Sequence, residues 1–317
     1  MNFAVREDRS LFVAFALLNA IGYNSESGLH FSDVRKDVRL SLAAHAANWR
    51  HKLDCEGLLE PLLRSGGAML MDVLPYSSFR DDFSRQIEEC STNWQRASRS
   101  ALNGIDKWLS AFSSELPLES LWIKHRKSYE TAASLLGSVI PRLQSLAARC
   151  SDENHNVSVQ LEPNLLDAHG RGYSVSTPGQ TWLYLGPLKN LMEAETLAVH
   201  ELLHRWVDPA SEHVLLTDDL SELMPRAKAQ FRIVAESYPE VAIWLGETVV
   251  RAATAWLVPK SVEVMFSNED ELPIFWERAG FIGFSDAYAY VINEPKRSLE
   301  DVLSDAVLLV YERLQRW

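Results

Sequence analysis

The amino-acid sequence predicts an α+β fold in which α-helices predominate, and three observations carry that expectation. Apolar residues recur at three- and four-residue spacing through 33–56, 80–113 and 119–150, for example Trp94, Ala97, Ala101, Leu102, Ile105, Trp108, Leu109 and Phe112. Val157 to Leu161 then alternates apolar and polar residues as a half-buried strand does, and Gly172–Ser176 and Thr181–Leu185 read as further strands around a Pro178-Gly179 turn. From Ser211 onward the pattern returns to helices. The expected organisation is a helical N-terminal portion, 1–150, and a second portion, 151–317, with Asp152–Asn156 as a polar linker. The second portion holds a small, mostly antiparallel sheet and the helices that follow it.

Each element has its own local signals. Asp8 to Ala20 reads as a helix stopped by Gly22. Its apolar run, Leu11–Ile21, resembles a signal-peptide core, but the flank Arg6-Glu7-Asp8-Arg9 balances its charges, so a first buried helix is the better reading. The run is also too short to span a bilayer, and no membrane segment is expected. The chain is therefore expected to be cytoplasmic, with secretion the alternative if residues 1–21 are a signal peptide. Gly66-Gly67, Pro75 and Pro117 punctuate the helical half, and Pro141 kinks or ends its third pattern. The strands feed through Gly186-Pro187 into a helix that Pro209 is expected to close. Pro239 opens the run Glu240–Val258, Pro259 closes it, and a last helix covers Ser298–Trp317.

Composition narrows the class of molecule. With 317 residues, 47% hydrophobic and 23% charged, the chain is long and apolar enough for a globular core. A net charge of −12, with its cations scattered, argues against a nucleic-acid phosphate track, so no nucleic acid is expected as a partner. Cys55, Cys90 and Cys150 lie far apart, which gives neither a cysteine metal cluster nor a disulfide framework and suits a reducing compartment.

The chemistry concentrates in Thr196–Pro209, TLAVHELLHRWVDP. His200, Glu201 and His204 form an H-E-x-x-H pattern; on a helix, residues four apart lie on one face, so two imidazoles can share one metal ion. Glu201 stands beside that face, placed to take a proton from an activated water. A catalytic zinc site needs a third protein ligand. His213 misses the compact H-E-x-x-H-x-x-G-x-x-H spacing by three residues. Glu247 is the better candidate, because it is a charged residue in an otherwise apolar helix and needs a partner. An ion pair with Arg251 one turn on is the competing explanation, and Glu236 and Glu240 are weaker rivals. His30, His45, His51 and His125 form no such pattern and read as surface or core residues.

The arrangement resembles the gluzincin group of zinc metallopeptidases, in which a glutamate on a second helix completes the site. HELLHRWVDP followed by WLGETVVRA is more closely similar to an uncharacterised bacterial group of metallopeptidase-like chains with HE-F-x-H-x-F-V-N-P and N-E-x-V-V-R-A motifs, and REDRSLFVAFALLNAIGY to that group's opening segment. The resemblance implies a zincin-like fold, His200, His204 and Glu247 as zinc ligands, Glu201 as general base, and a peptide or protein substrate. Arg251 stands where thermolysin-like members carry an aspartate, so support for the histidines has to come from elsewhere; Asp208 is one candidate, and a role as a helix-end residue before Pro209 is at least as good a reading of it. Tyr288 or Tyr290, in FIGFSDAYAYV, or Arg251 could donate to a developing oxyanion. Thr181–Leu185 could offer a sheet edge to an extended peptide. Two alternatives stay open: a zinc-binding interaction or regulatory module with little hydrolysis, and a non-peptidase zinc hydrolase.

Overall fold

A computed structural model describes residues 1–23, 31–64, 67–76, 93–150, 157–177, 179–215, 222–232, 234, 238, 240–266 and 271–317. The architecture is α+β and mostly helical, with one small mixed sheet. The chain divides into two compact units. The first comprises Asn2–Ile140 and Val157–Ala194, the second Met1, Pro141–Asn156 and Glu195–Trp317.

That division differs from the expected cut at residue 150, because the strands belong with the N-terminal helices. The reason is β1 (Asn2–Val5), which lies parallel to β2 (Ser158–Pro163) with Asn2 opposite Ser158 and Val5 opposite Leu161. Four residues are too few to display a clear alternation, and no local signal announces a partner so distant in sequence. The sheet order is β1-β2-β4-β3, where β3 is Gly172–Ser176 and β4 is Gln180–Leu185. β2 and β4 are parallel, and only the β3–β4 hairpin is antiparallel. The expectation of a mostly antiparallel sheet is thus corrected. β4 is also an internal strand, so its backbone groups are already paired on both sides and it offers no edge to a peptide.

Around this sheet the first unit packs α1 (Arg9–Ala20), α2 (Asp33–Leu42), α3 (Ala46–Cys55), α4 (Leu59–Arg64), α5 (Ala68–Val73), α6 (Asn93–Ala101), α7 (Ile105–Glu115) and α8 (Leu118–Gly137). The α1 helix begins where the Asp8 carboxylate accepts the Ser10 N–H at 2.6 Å, and every residue from Leu11 to Ala20 is buried. Its single polar core residue is fully used: Asn19 Nδ2 donates to Phe15 O and Leu166 O, and Oδ1 accepts from Arg35 Nε at 2.7 Å. Gly186, after β4, has no room for a side chain, since a Cβ there would meet the Ala168 carbonyl at 2.5 Å. Among the described residues no helix is long and apolar enough to cross a membrane.

The second unit contains α9 (Ile140–Ala147), most of α10 (Leu191–Leu215), α11 (Leu223–Gln230), α12 (Val241–Leu257), α13 (Pro259–Met265), α14 (Glu271–Ala279), α15 (Phe284–Asn293) and α16 (Leu299–Arg316). Pro141 sits in the first turn of α9, where its missing N–H costs nothing. Pro209, by contrast, does not end α10: the helix runs through it to Leu215. A helical proline removes one backbone bond, and the helix continues beyond it with Ser211 buried. The α12 helix is apolar on nearly all sides, which makes it a central rather than a surface helix. Its Trp244 donates Nε1–H to the Gly280 carbonyl at 2.9 Å; Gly280 has φ +103° and a Cβ there would lie 2.6 Å from the Phe231 ring, so only glycine fits.

Candidate metal centre

The α10 helix presents His200 and His204 on one face, one turn apart, with ring centroids 5.2 Å apart and the rings at 70°. The α12 helix brings Glu247 opposite them. His200 Nε2 lies 3.7 Å from Glu247 Oε2, and His204 Nε2 lies 3.6 Å from Oε1. One ligand atom from each of the three residues lies within 4.8 Å of the other two. Ligands at zinc–nitrogen distances of about 2.05 Å in a tetrahedron stand about 3.3 Å apart, so the two histidine–carboxylate distances exceed that spacing by a few tenths of an ångström, while the three ligand atoms taken together meet the wider limit of 4.8 Å. Glu247 Oε2 is a buried atom with no hydrogen bond among the described residues, and its one close charge is the Arg251 guanidinium at 3.1 Å. A carboxylate with one oxygen near each imidazole Nε2, too far for a hydrogen bond to either, is a donor set that fits a metal ion.

The second ring nitrogen of His204 is also in use. Nδ1–H donates to Asp208 Oδ1 at 2.8 Å, one turn further along α10, which fixes the tautomer that leaves Nε2 free to ligate. The carboxylate that supports the histidine therefore comes from the same helix.

Electrostatics follow from burial. Desolvation pushes Glu201 up to about 8; His204 opposes this shift, while Glu247 and Asp208 reinforce it. Burial disfavours the charged form of His200 and lowers it, outweighing the pull of Glu247. For His204 burial acts the same way, but Asp208 and Glu247 overcome it and carry the imidazole up to about 10. Burial alone would raise Glu247, yet Arg251, His200 and His204 hold it well below the usual carboxylate range. In the metal-free protein the proton on His204 and the Arg251 guanidinium thus compensate the carboxylates, and a metal would displace that proton.

Arg251 pairs with Glu247: Nη2 is 3.1 Å from Oε2 and also donates to the Tyr238 hydroxyl at 3.2 Å. Its guanidinium is clamped between Trp276 and Phe281, 4.7 Å from each ring centroid. The ion pair and the histidine-facing position of Glu247, alternatives in the sequence, occur together. Of the two tyrosines singled out there, Tyr290 is not brought to the cluster; its hydroxyl donates to Asp305 Oδ2 at 2.8 Å and accepts from Arg297 at 2.6 Å. Tyr288 stacks on Phe284 at 5.9 Å, and Phe284 in turn lies 6.1 Å from Trp276. The residue that sequence reasoning missed is Tyr238, because it stands beside Pro239 in a stretch that reads only as a turn.

The remaining candidates lie elsewhere. His213 is exposed in the last turn of α10, and Glu240 is the exposed N-cap of α12. His125 Nε2 is 2.8 Å from Asp37, while His45 and His51 are exposed. Cys55 is exposed and Cys150 buried. Glu236, His30 and Cys90 lie outside the described residues. No protein-family model matches the chain, and neither a curated protein nor a solved structure matches it.

Proposed function

We propose that this chain is a zinc-dependent hydrolase of peptide bonds, with His200, His204 and Glu247 as ligands and Glu201 as general base. The observation that carries the reading is the approach of two imidazole Nε2 atoms to the partly buried Glu247 carboxylate, with the buried Glu201 carboxyl one residue from His200. A zinc ion bound there would supply Lewis acidity, polarising a carbonyl and acidifying water.

The protein's own groups do the rest. Burial raises Glu201 to about 8 in the metal-free protein and keeps it largely protonated at neutral pH; a cation beside it would favour the carboxylate, which would accept a proton from water and return it to the leaving amine. A site that only held metal would have no use for a carboxyl buried at that cost. Asp208 keeps His204 in the ligating tautomer. Arg251 is occupied with Glu247, and the hydroxyl it contacts, Tyr238, is the group we assign to a developing oxyanion, in place of Tyr288, Tyr290 or Arg251 itself. A peptide substrate is the choice that the H-E-x-x-H…E resemblance favours.

Glu201→Gln tests the reading. It should keep stoichiometric zinc by metal analysis and lose hydrolysis of a mixed peptide library by about 10²–10⁴-fold. Undiminished cleavage by the variant would remove Glu201 from the mechanism, and absence of zinc from the wild-type protein would remove the metal.

A further inference from the structure

Gly246 precedes Glu247 in the middle of α12, where glycine is the least favourable residue apart from proline. Its backbone does not require glycine, since it is not among the positive-φ residues. The reason lies across the helix contact. A Cβ at position 246 would meet Asp208 Oδ1 and Ser211 Oγ, each at 3.3 Å, and Val207 Cγ1 at 3.6 Å. The first of these atoms is the one that accepts the His204 Nδ1 hydrogen bond.

We propose that Gly246 is a positioning residue: by lacking a side chain it leaves room for the Asp208 carboxylate to hold His204 in its ligating orientation. This role rests on the metal reading for its purpose, but not for its geometry. The three neighbours differ in how they can yield. Val207 and Ser211 are buried on α10, whereas the Asp208 side chain is 42% exposed and can swing into water. The few tenths of an ångström that a methyl group at 246 requires are therefore given by Asp208, which lengthens and weakens its 2.8 Å hydrogen bond with little disturbance of the fold. The ligand Glu247, one residue on, points elsewhere on the helix and keeps its place.

A double-mutant cycle separates this role from general packing. Gly246→Ala and Asp208→Ala should each weaken zinc binding about 10–100-fold, the range for losing a hydrogen bond behind a ligating histidine. The double variant should be no weaker than Asp208→Ala alone. Multiplying effects, or an unchanged zinc affinity in Gly246→Ala, would overturn the proposal. The second readout needs no metal: in the metal-free protein the NMR signal of His204 Nδ1–H should be shifted downfield by its carboxylate partner in the wild type and lose that shift wholly in Asp208→Ala and partly in Gly246→Ala. Persistence of the full shift in Gly246→Ala would sink the proposal even if no zinc ever binds, so its failure is distinct from failure of the metal reading. Should Gly246→Ala not fold, Gly246→Ala with Ser211→Gly relieves the contact that cannot move and leaves the one with Asp208; the same two readouts then decide.

Discussion

Two clusters in the second unit are built from the same three kinds of side chain. At the candidate metal centre Arg251 joins the Glu247 carboxylate and the Tyr238 hydroxyl, at 3.1 and 3.2 Å. Between α15 and α16 Arg297 joins the Asp305 carboxylate and the Tyr290 hydroxyl, at 2.7 and 2.6 Å. The outer cluster has the shorter contacts, yet its ion pair is 40% and 42% exposed, against 26% and 15% for the inner one. Water screens the outer charges and can replace any lost partner, so tight geometry there brings little stability or chemistry. In the inner cluster, farther from water, each charge depends more on its neighbours. Contact distance is thus a poor guide to how much a charge relies on its partner, and burial a better one.

The widest separation between the clusters should come from deleting each carboxylate. Glu247→Ala leaves Arg251 buried without its anion and should cost about 3–5 kcal/mol in urea denaturation of the metal-free protein, together with loss of zinc binding. Asp305→Ala should leave the midpoint and the zinc content unchanged. Equal effects would break the comparison.

A smaller contrast lies in the two tyrosines. Tyr238→Phe should lower kcat by about 10²–10³-fold while zinc content holds, as expected for loss of one oxyanion donor. Tyr290→Phe should leave kcat untouched, and the reverse pattern would return the donor role to the stretch originally singled out.

The effect spread over the widest pH range is a slope. Glu201 is raised from 4.5 to about 8 in the folded, metal-free protein, so the native state binds its proton more tightly than the unfolded chain does. Its contribution to stability is complete below pH 4.5 and is lost as pH rises through 8. Metal-free Glu201→Gln should therefore match the wild type near pH 4.5 and exceed it above pH 8, in denaturation midpoints taken across that range. Parallel pH curves for the two proteins would show that Glu201 does not carry this charge penalty.

Much of the site was legible because its first half is local. The 3.6-residue period places His200, Glu201 and His204 without any knowledge of the fold. A lone carboxylate in an apolar helix, Glu247, announces its need for a partner in the same way. The buried character of Leu11–Ala20 and the ends of α12 and α16 were equally readable, because caps, prolines and apolar spacing act over a few residues. Packing decided the rest. The four-residue strand β1 finds β2 about 150 residues later and adds a second parallel pairing to a sheet that β2–β4 and β3–β4 already make mixed, and the sheet groups with the N-terminal helices. The helix also runs through Pro209 to Leu215, which the local proline signal does not foretell. Tyr238 reaches Arg251, and Gly246 clears Asp208, only because particular helices meet at particular points. Such contacts depend on the whole set of packed surfaces and leave no periodic trace in the chain, whereas a helix face is determined by spacing alone.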